Sequence, residues 1–206
     1  MDKFVRLTAK ACPLNVPNLN TDQILPARYL KWPRSRGLGA VLFQDLRYDA
    51  GGKLRTDFPL NDPRWRDAKI LIGGRNFGGG SSREAAVYAI YDFGIRCVIA
   101  SSFGDIFAQN SVKNSLLLAT LEGGQVDELA KAVAAEPQRP VTVDLELQHI
   151  IDGNRTYPFS IDAVSRNQLL NGWDDIDLTD SHRDRIKVFR DQDRLRRPWA
   201  LPAKIR

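Results

Sequence analysis

Residues 68–121 constrain the fold more than any other part of the chain. "AKILIGG" is a short apolar strand, and the glycine-rich "RNFGGGSS" follows it. "SREAAVYAIYDFG" has helical composition, with Ala86, Ile90 and Phe93 on one face and Gly94 at its stop. "IRCVIAS" reads as a buried strand, "SFGDIFAQNSVKN" as a second helix and "SLLLATL" as a further apolar strand. This strand–loop–helix–strand–helix–strand order predicts a parallel α/β unit, since parallel neighbours need a long crossover between them.

The flanking segments add to that unit. "KFVRLTAKACPL" reads as an N-terminal strand, and an irregular stretch runs from there to about Asp67, broken by Pro33, Gly37, Gly39 and "DAGGK". An irregular region that long inside a compact domain is usually functional. "VDELAKAVAAEP" predicts a helix, and "VTVDLELQHIIDGNRTYPFSI" alternates around Asp152-Gly153 as a β-hairpin does. "IDAVSRNQLLNGW" and the charged tail close the chain as helices. The predicted class is α/β with added antiparallel strands.

Charge is unevenly placed. The chain has 30 Lys/Arg and 25 Asp/Glu; residues 182–206 hold nine of the former and three of the latter, leaving 21 against 22 elsewhere. The basic balance therefore belongs to the tail, whose Asp and Arg interleave at helical spacing, as on a solvated helix. No aromatic platform accompanies the charge, which argues against nucleic acid as a partner. No apolar run approaches the ~18 residues that span a bilayer, and the N-terminus lacks a signal-peptide core, so a cytoplasmic location is expected. Cys12, Cys97, His149 and His182 are too few and scattered for a structural metal site or for the ligands of an iron–sulfur cluster.

The loop "GGRNFGGGSSREAA" packs five glycines around two adjacent serines, then Arg83 and Glu84. It leaves a strand and enters a helix, where unpaired N–H groups and the helix dipole favour an anion. Ser81 and Glu84 fit the Ser-x-x-Glu capping box, which predicts Ser81 at the N-cap. Arg83 adds a planar donor fork suited to a carboxylate. Gly78, Gly79 and Gly80 let the backbone approach a ligand. The P-loop, dinucleotide and nucleophile-elbow patterns all fail here. A carboxylate fits better than a nucleotide; the plain alternative is an ordinary capped helix, with Arg83 in a surface pair with Glu84 or Asp92.

"NFGGGSSREAAVYAIYDFGIRCVIASSFGDIFAQNSVKNSLLLATL" resembles the core of the swivelling domain of aconitase-type hydro-lyases. "NLNTDQILPARYL", "GLGAVLFQDLRYD", "TVDLELQHI" and "YPFSIDAVSRNQLLNGWDDI" extend the likeness, from Phe4 to about Arg190, towards the small subunits of bacterial 3-isopropylmalate dehydratases. The resemblance implies a swivelling β/β/α barrel-like domain over residues 1–180, with residues 181–206 as a basic helical tail. It implies a small hydroxy-dicarboxylate substrate and a large iron–sulfur subunit as partner, in a heterodimer or heterotetramer. That partner would carry the [4Fe–4S] cluster, with no metal in this chain. By position, Ser81 would be the catalytic base that removes the proton alpha to a carboxylate. Ser82 and Arg83 would bind substrate, with either Arg34 or Arg36 as a further contact, while Gly78, Gly79, Gly80 and Glu84 support the loop and helix cap. The segment "TDQILPARYLKWPRSRG" would hold a separate loop near the substrate's variable group, with Thr21, Asp22 and Gln23 shaping that loop's base. The family's loop usually reads G-C-G-S-S-R-E-H-A; Gly79 replaces its cysteine and Ala85 its histidine. Gly79 should loosen the loop, and both changes leave open a sister hydro-lyase acting on a dimethylmalate, methylcitrate or homoaconitate.

Overall fold

A computed structural model describes residues 1–81 and 83–200. The chain opens not with one strand but two, β1 (Arg6–Ala9) and β2 (Ala11–Pro13), and they belong to different sheets. Lys10 is the switch: its carbonyl accepts from the amides of Lys69 and Ile70, at 3.1 and 3.3 Å, as the chain crosses over. A continuous β-pattern in sequence cannot show such a crossing, because both halves keep extended backbone.

The stretch to residue 69 contains only short turns, among them α1 (Thr21–Ile24) and α2 (Gln44–Arg47). It is nevertheless not a loose loop. Leu19, Ile24, Leu25, Leu42, Phe43 and Trp65 are all buried, so this arm contributes directly to the core. Phe43 lies in the left-handed region at φ 51°, a conformation costing about 1–2 kcal/mol for a residue with a Cβ. Burial of its ring and the 2.8 Å bond from its amide to the Ile24 carbonyl hold it there.

From β3 (Ile70–Ile72) the predicted order holds: α3 (Glu84–Phe93), β4 (Cys97–Ala100), α4 (Asp105–Lys113), β5 (Leu117–Thr120). β2, β3, β4 and β5 form a parallel sheet in that spatial order. Every residue of β3 and β4 is buried, as expected of strands covered on both faces. α3 buries Ala86, Val87, Ala89 and Ile90, while Phe93 is half-buried. α5 (Gly123–Ala135) packs on β2 through a face including Val126, Leu129, Ala130 and Val133, spaced for one helical stripe. It starts three residues before the predicted Val126, because a reciprocal Glu122–Gln125 capping box draws two glycines into the first turn.

β6 (Val141–Asp144), β7 (His149–Asp152) and β8 (Arg155–Pro158) complete the antiparallel sheet in the order β1-β6-β7-β8, with β7 and β8 turning at the predicted Asp152-Gly153. α6 (Ala163–Asn171) buries Leu169, whose carbonyl accepts from the Phe4 amide at 2.8 Å. α7 (Asp175–Asp180) and α8 (Arg183–Arg196) bury no residue. No helix among the described residues is long and apolar enough to cross a membrane.

Candidate functional site

The glycine loop leaves the C-terminal end of β3 and is immediately paired on both sides. On one, the amides of Asn76 and Phe77 reach Ser102 Oγ and the Ser102 carbonyl, at 2.8 and 3.0 Å, and the Gly104 amide donates to the Phe77 carbonyl at 3.0 Å. On the other, the Gly78 amide donates to the Leu19 carbonyl at 2.7 Å and the Thr21 amide to the Gly79 carbonyl at 3.0 Å. Isolated bridges Phe77–Phe103 and Asn20–Gly79 mark the same pairing. The loop is thus a short extra strand between residues 19–21 and 102–104.

Its glycines answer to close contacts. A Cβ on Gly78, at φ +72°, would stand 2.3 Å from the Phe107 ring, and one on Gly104 would stand 2.6 Å from the Gly78 carbonyl oxygen. Phe107 stacks against Phe77, with ring centres 5.7 Å apart, as the floor beneath. Gly79 differs. A Cβ there would meet the Asn76 carboxamide at 2.9–3.1 Å, and that amide is itself bound to Asn18 Oδ1 at 3.2 Å. The position expected to loosen the loop is therefore held through its carbonyl and covered by a side chain.

Ser81 stands exposed at the end of this strand, with its carbonyl accepting from Thr21 Oγ1 at 2.8 Å. Thr21 itself is buried. The expected N-cap role is not what the structure has: α3 begins at Glu84 with Arg83 as N-cap, and no side chain caps it. Glu84 is at the first helical position, and its carboxylate accepts from Asn114 Nδ2 at 3.0 Å instead of reaching back to the backbone. The bond from Thr21 fixes the Ser81 carbonyl, and the helix starts two residues later than the Ser-x-x-Glu pattern predicts. Glu84 thus joins α3 to the end of α4 while placing its negative charge at the favourable end of the dipole. Among the described residues, the amides of Gly80 and Ser81 have no hydrogen-bond partner. Ser82 lies outside the described residues.

The Arg83 guanidinium forms an ion pair through Nη1 with Asp22, rather than with Glu84 or Asp92. Asp22 lies on α1, whose N-terminus carries a reciprocal capping box between Asn20 and Gln23. One short helical turn thereby delivers Thr21 to Ser81 and Asp22 to Arg83. Thr21 and Asp22 thus meet the glycine loop, while Gln23 caps their own turn through Asn20. Their sequence signal was the Asn-x-x-Gln cap, which fixes the turn but does not reveal its partners.

Arg34 and Arg36 separate in role. Arg34 stacks on Tyr88 at 4.2 Å and pairs with Asp92 at 3.4 Å, both on α3, and donates to Asn114 Oδ1 at 3.3 Å. Arg36 stacks on Trp32 at 3.8 Å and has no acidic partner among the described residues. Ala85 is half-buried against the core.

Neither cysteine can serve this site. Cys12 on β2 and Cys97 on β4 are buried. Burial, with a smaller contribution from Asp62, pushes the Cys12 thiol up to about 12, and burial raises Cys97 as well. No group of three His, Cys, Asp or Glu side chains able to hold a metal exists among the described residues. Clefts of about 580 and 460 Å³ lie away from Ser81, one beside α5 and β7–β8, the other between α4, β5 and α6. In the first, Arg139 pairs with Asp152 and Glu136, and Arg155 with Glu128, so its charges answer one another. Ser81 is exposed and Arg83 half-buried, and neither lines these two clefts.

A family model described as the aconitase C-terminal domain matches residues 1–123, and one described as LeuD_N matches residues 127–163. The 3-isopropylmalate dehydratase small subunit of Rhodospirillum centenum is 48% identical over 98% of this chain and all of that protein. The chain belongs to the family of 3-isopropylmalate dehydratase small subunits. The small subunit from Dinoroseobacter shibae is 47% identical over 97% of the chain and its own whole length. Among solved structures, the 3-isopropylmalate dehydratase LeuD of Methanocaldococcus jannaschii aligns with a TM-score of 0.65 and 26% identity, covering 88% of this chain and 98% of that one. The expected class, an α/β aconitase-type domain with C-terminal helices, is the one found, here built from one parallel and one antiparallel sheet.

Proposed function

We propose that this chain is the half of a cytoplasmic 3-isopropylmalate dehydratase that supplies Ser81 and Arg83, interconverting 2- and 3-isopropylmalate through 2-isopropylmaleate in leucine biosynthesis. The partner is a large subunit bearing a [4Fe–4S] cluster. This chain's two buried thiols do not fit such a cluster, which supports assigning it to the partner. When bound there, it supplies a Lewis acid for the substrate.

The observation that carries this reading is the presentation of Ser81: a hydroxyl-bearing residue, exposed, at the end of a backbone-locked strand and two residues from a fixed cation. Ser81 Oγ takes the proton alpha to the substrate carboxylate. A serine is far too weak a base unaided, so the alkoxide needs stabilisation from the open amides of Gly80 and Ser81 and from the Arg83 charge. Arg83 has five N–H donors, and Asp22 engages Nη1, which leaves the rest of the fork for a substrate carboxylate. Ser82 adds a hydrogen bond to the substrate. Of Arg34 and Arg36, Arg36 lacks an acidic partner among the described residues and is the better further contact.

Gly79 and Ala85 favour a second reading, in which a sister hydroxy diacid such as dimethylmalate, methylcitrate or homoaconitate is the true substrate. An anaerobic assay of the chain with its cluster-loaded partner, following the ultraviolet absorbance of the unsaturated diacid, separates the two. Turnover of 3-isopropylmalate that requires both chains is expected. Turnover of another malate alone would keep the roles of Ser81 and Arg83 and change the substrate.

A further inference from the structure

Residues 27–37 form a strap with no buried residue, between the buried Leu25-Pro26 and the buried Leu38. The strap carries Arg28, Lys31, Arg34 and Arg36 and no acid. Tyr29 and Trp32 pack edge to face at 4.9 Å, and Arg36 lies over Trp32, so the strap's interior holds itself together. Tyr29 and Trp32 also pack against the core, and two charged side chains add ties to the body of the protein: Arg28 pairs with Asp45 on α2, and Arg34 grips α3.

The second grip is the more elaborate. Glu84, Tyr88 and Asp92 stand four residues apart and share one stripe of α3. Arg34 lies over Tyr88 and donates to Asp92 and to Asn114, and Asn114 donates in turn to Glu84. A planar guanidinium suits this place because it stacks and donates from its edge at the same time. The helix so gripped begins one residue after Arg83, and the strap begins shortly after Asp22, the partner of Arg83.

We propose that Arg34 is a positioning residue that clamps the strap, and with it the candidate substrate contact Arg36, onto the flank of α3, the helix whose N-cap is Arg83. The kinetic part rests on the hydro-lyase reading above; the clamp itself does not. Arg34 then acts through the strap and touches no substrate, so its loss changes where Lys31, Trp32 and Arg36 stand without disturbing the reacting atoms.

The test uses the full-length chain, alone and with its large subunit, as wild type, Arg34→Ala, Arg34→Lys and Tyr88→Leu. Hydrogen exchange of residues 28–37 in the free chain reads the clamp, and it is expected to speed about tenfold in Arg34→Ala and less in Tyr88→Leu, with the α3 amides unchanged. In the complex, KM for the hydroxy diacid is expected to rise about five- to tenfold with kcat within about twofold, and Arg34→Lys should not restore it. Unchanged exchange in Arg34→Ala would overturn the clamp, as would wild-type kinetics for Arg34→Lys. A fall in kcat at constant KM would move Arg34 into the reacting machinery and also overturn the proposal. If the wild-type complex turns over no hydroxy diacid, the hydro-lyase reading falls, and exchange alone decides the clamp.

Discussion

The glycine loop of residues 73–81 and the strap of residues 27–37 both border α3, and they are held by opposite means. The loop has five glycines, yet its backbone is paired on both sides and its small residues are pressed against Phe107 and Gly104. The strap has one glycine, Gly37, and no buried residue; side chains fix it, through Tyr29 and Trp32 against the core, an exposed ion pair at one end and a stacked arginine at the other. Glycine content therefore reports how closely chains approach, while looseness follows from which groups carry the hydrogen bonds. A hydroxyl that must meet a substrate atom within tenths of an ångström belongs on the first kind of element. A segment that shapes the outer wall can be of the second kind.

The largest effect expected is from Gly78→Ala. A Cβ at that left-handed position runs into the Phe107 ring, so thermal or denaturant unfolding should show a loss of about 2–4 kcal/mol, and activity should vanish with the loop's register. Thr21→Val keeps the shape but removes the hydroxyl that holds the Ser81 carbonyl. It should cost about 1 kcal/mol of stability and lower kcat roughly tenfold, a split visible by comparing calorimetry with kinetics.

The strap should respond to acid where the loop does not. The hydrogen bond from Arg28 lowers the Asp45 carboxyl below its usual 3.8. A carboxylate with a lowered folded pKa contributes stability that is complete above the ordinary value and is lost as pH falls through the lowered one. Exchange at residues 28–30 should therefore quicken below about pH 4, while residues 77–79 keep their protection. Because both partners are half exposed, the gain is expected to stay below about 1 kcal/mol. The smallest effect belongs to Gly79→Ala, whose new methyl meets first the carboxamide end of the exposed Asn76 side chain. Stability within about 0.5 kcal/mol of wild type and near-normal turnover would show that a glycine count misleads; a large loss would break the contrast drawn here.

The parallel unit was readable because strands such as "ILI" and "CVIA" are buried on both faces and announce themselves as unbroken apolar runs. The hairpin at Asp152-Gly153 was readable from its turn residues. The sheet change at Lys10 was not, since it needs Lys69 and Ile70 to be known as neighbours of a residue about 60 positions earlier. Ser81 was expected at the N-cap, and the helix instead starts at Glu84 behind Arg83. A local Ser-x-x-Glu pattern lost to two long-range contacts, Thr21 on the serine carbonyl and Asn114 on Glu84. Asp22 as the partner of Arg83 escaped for the same reason. The nearer acids, Glu84 and Asp92, went to Asn114 and Arg34.

The most direct test of the account is Ser81→Ala in the anaerobically reconstituted two-subunit enzyme, with turnover and subunit affinity measured on the same preparation. Ser81 is exposed, and its only described tie is through its backbone carbonyl. Removing the hydroxyl should therefore lower kcat by about a thousandfold or more and leave the subunit dissociation constant within about twofold. Turnover near that of the wild type, or a loss of association that matches the loss of turnover, would contradict it.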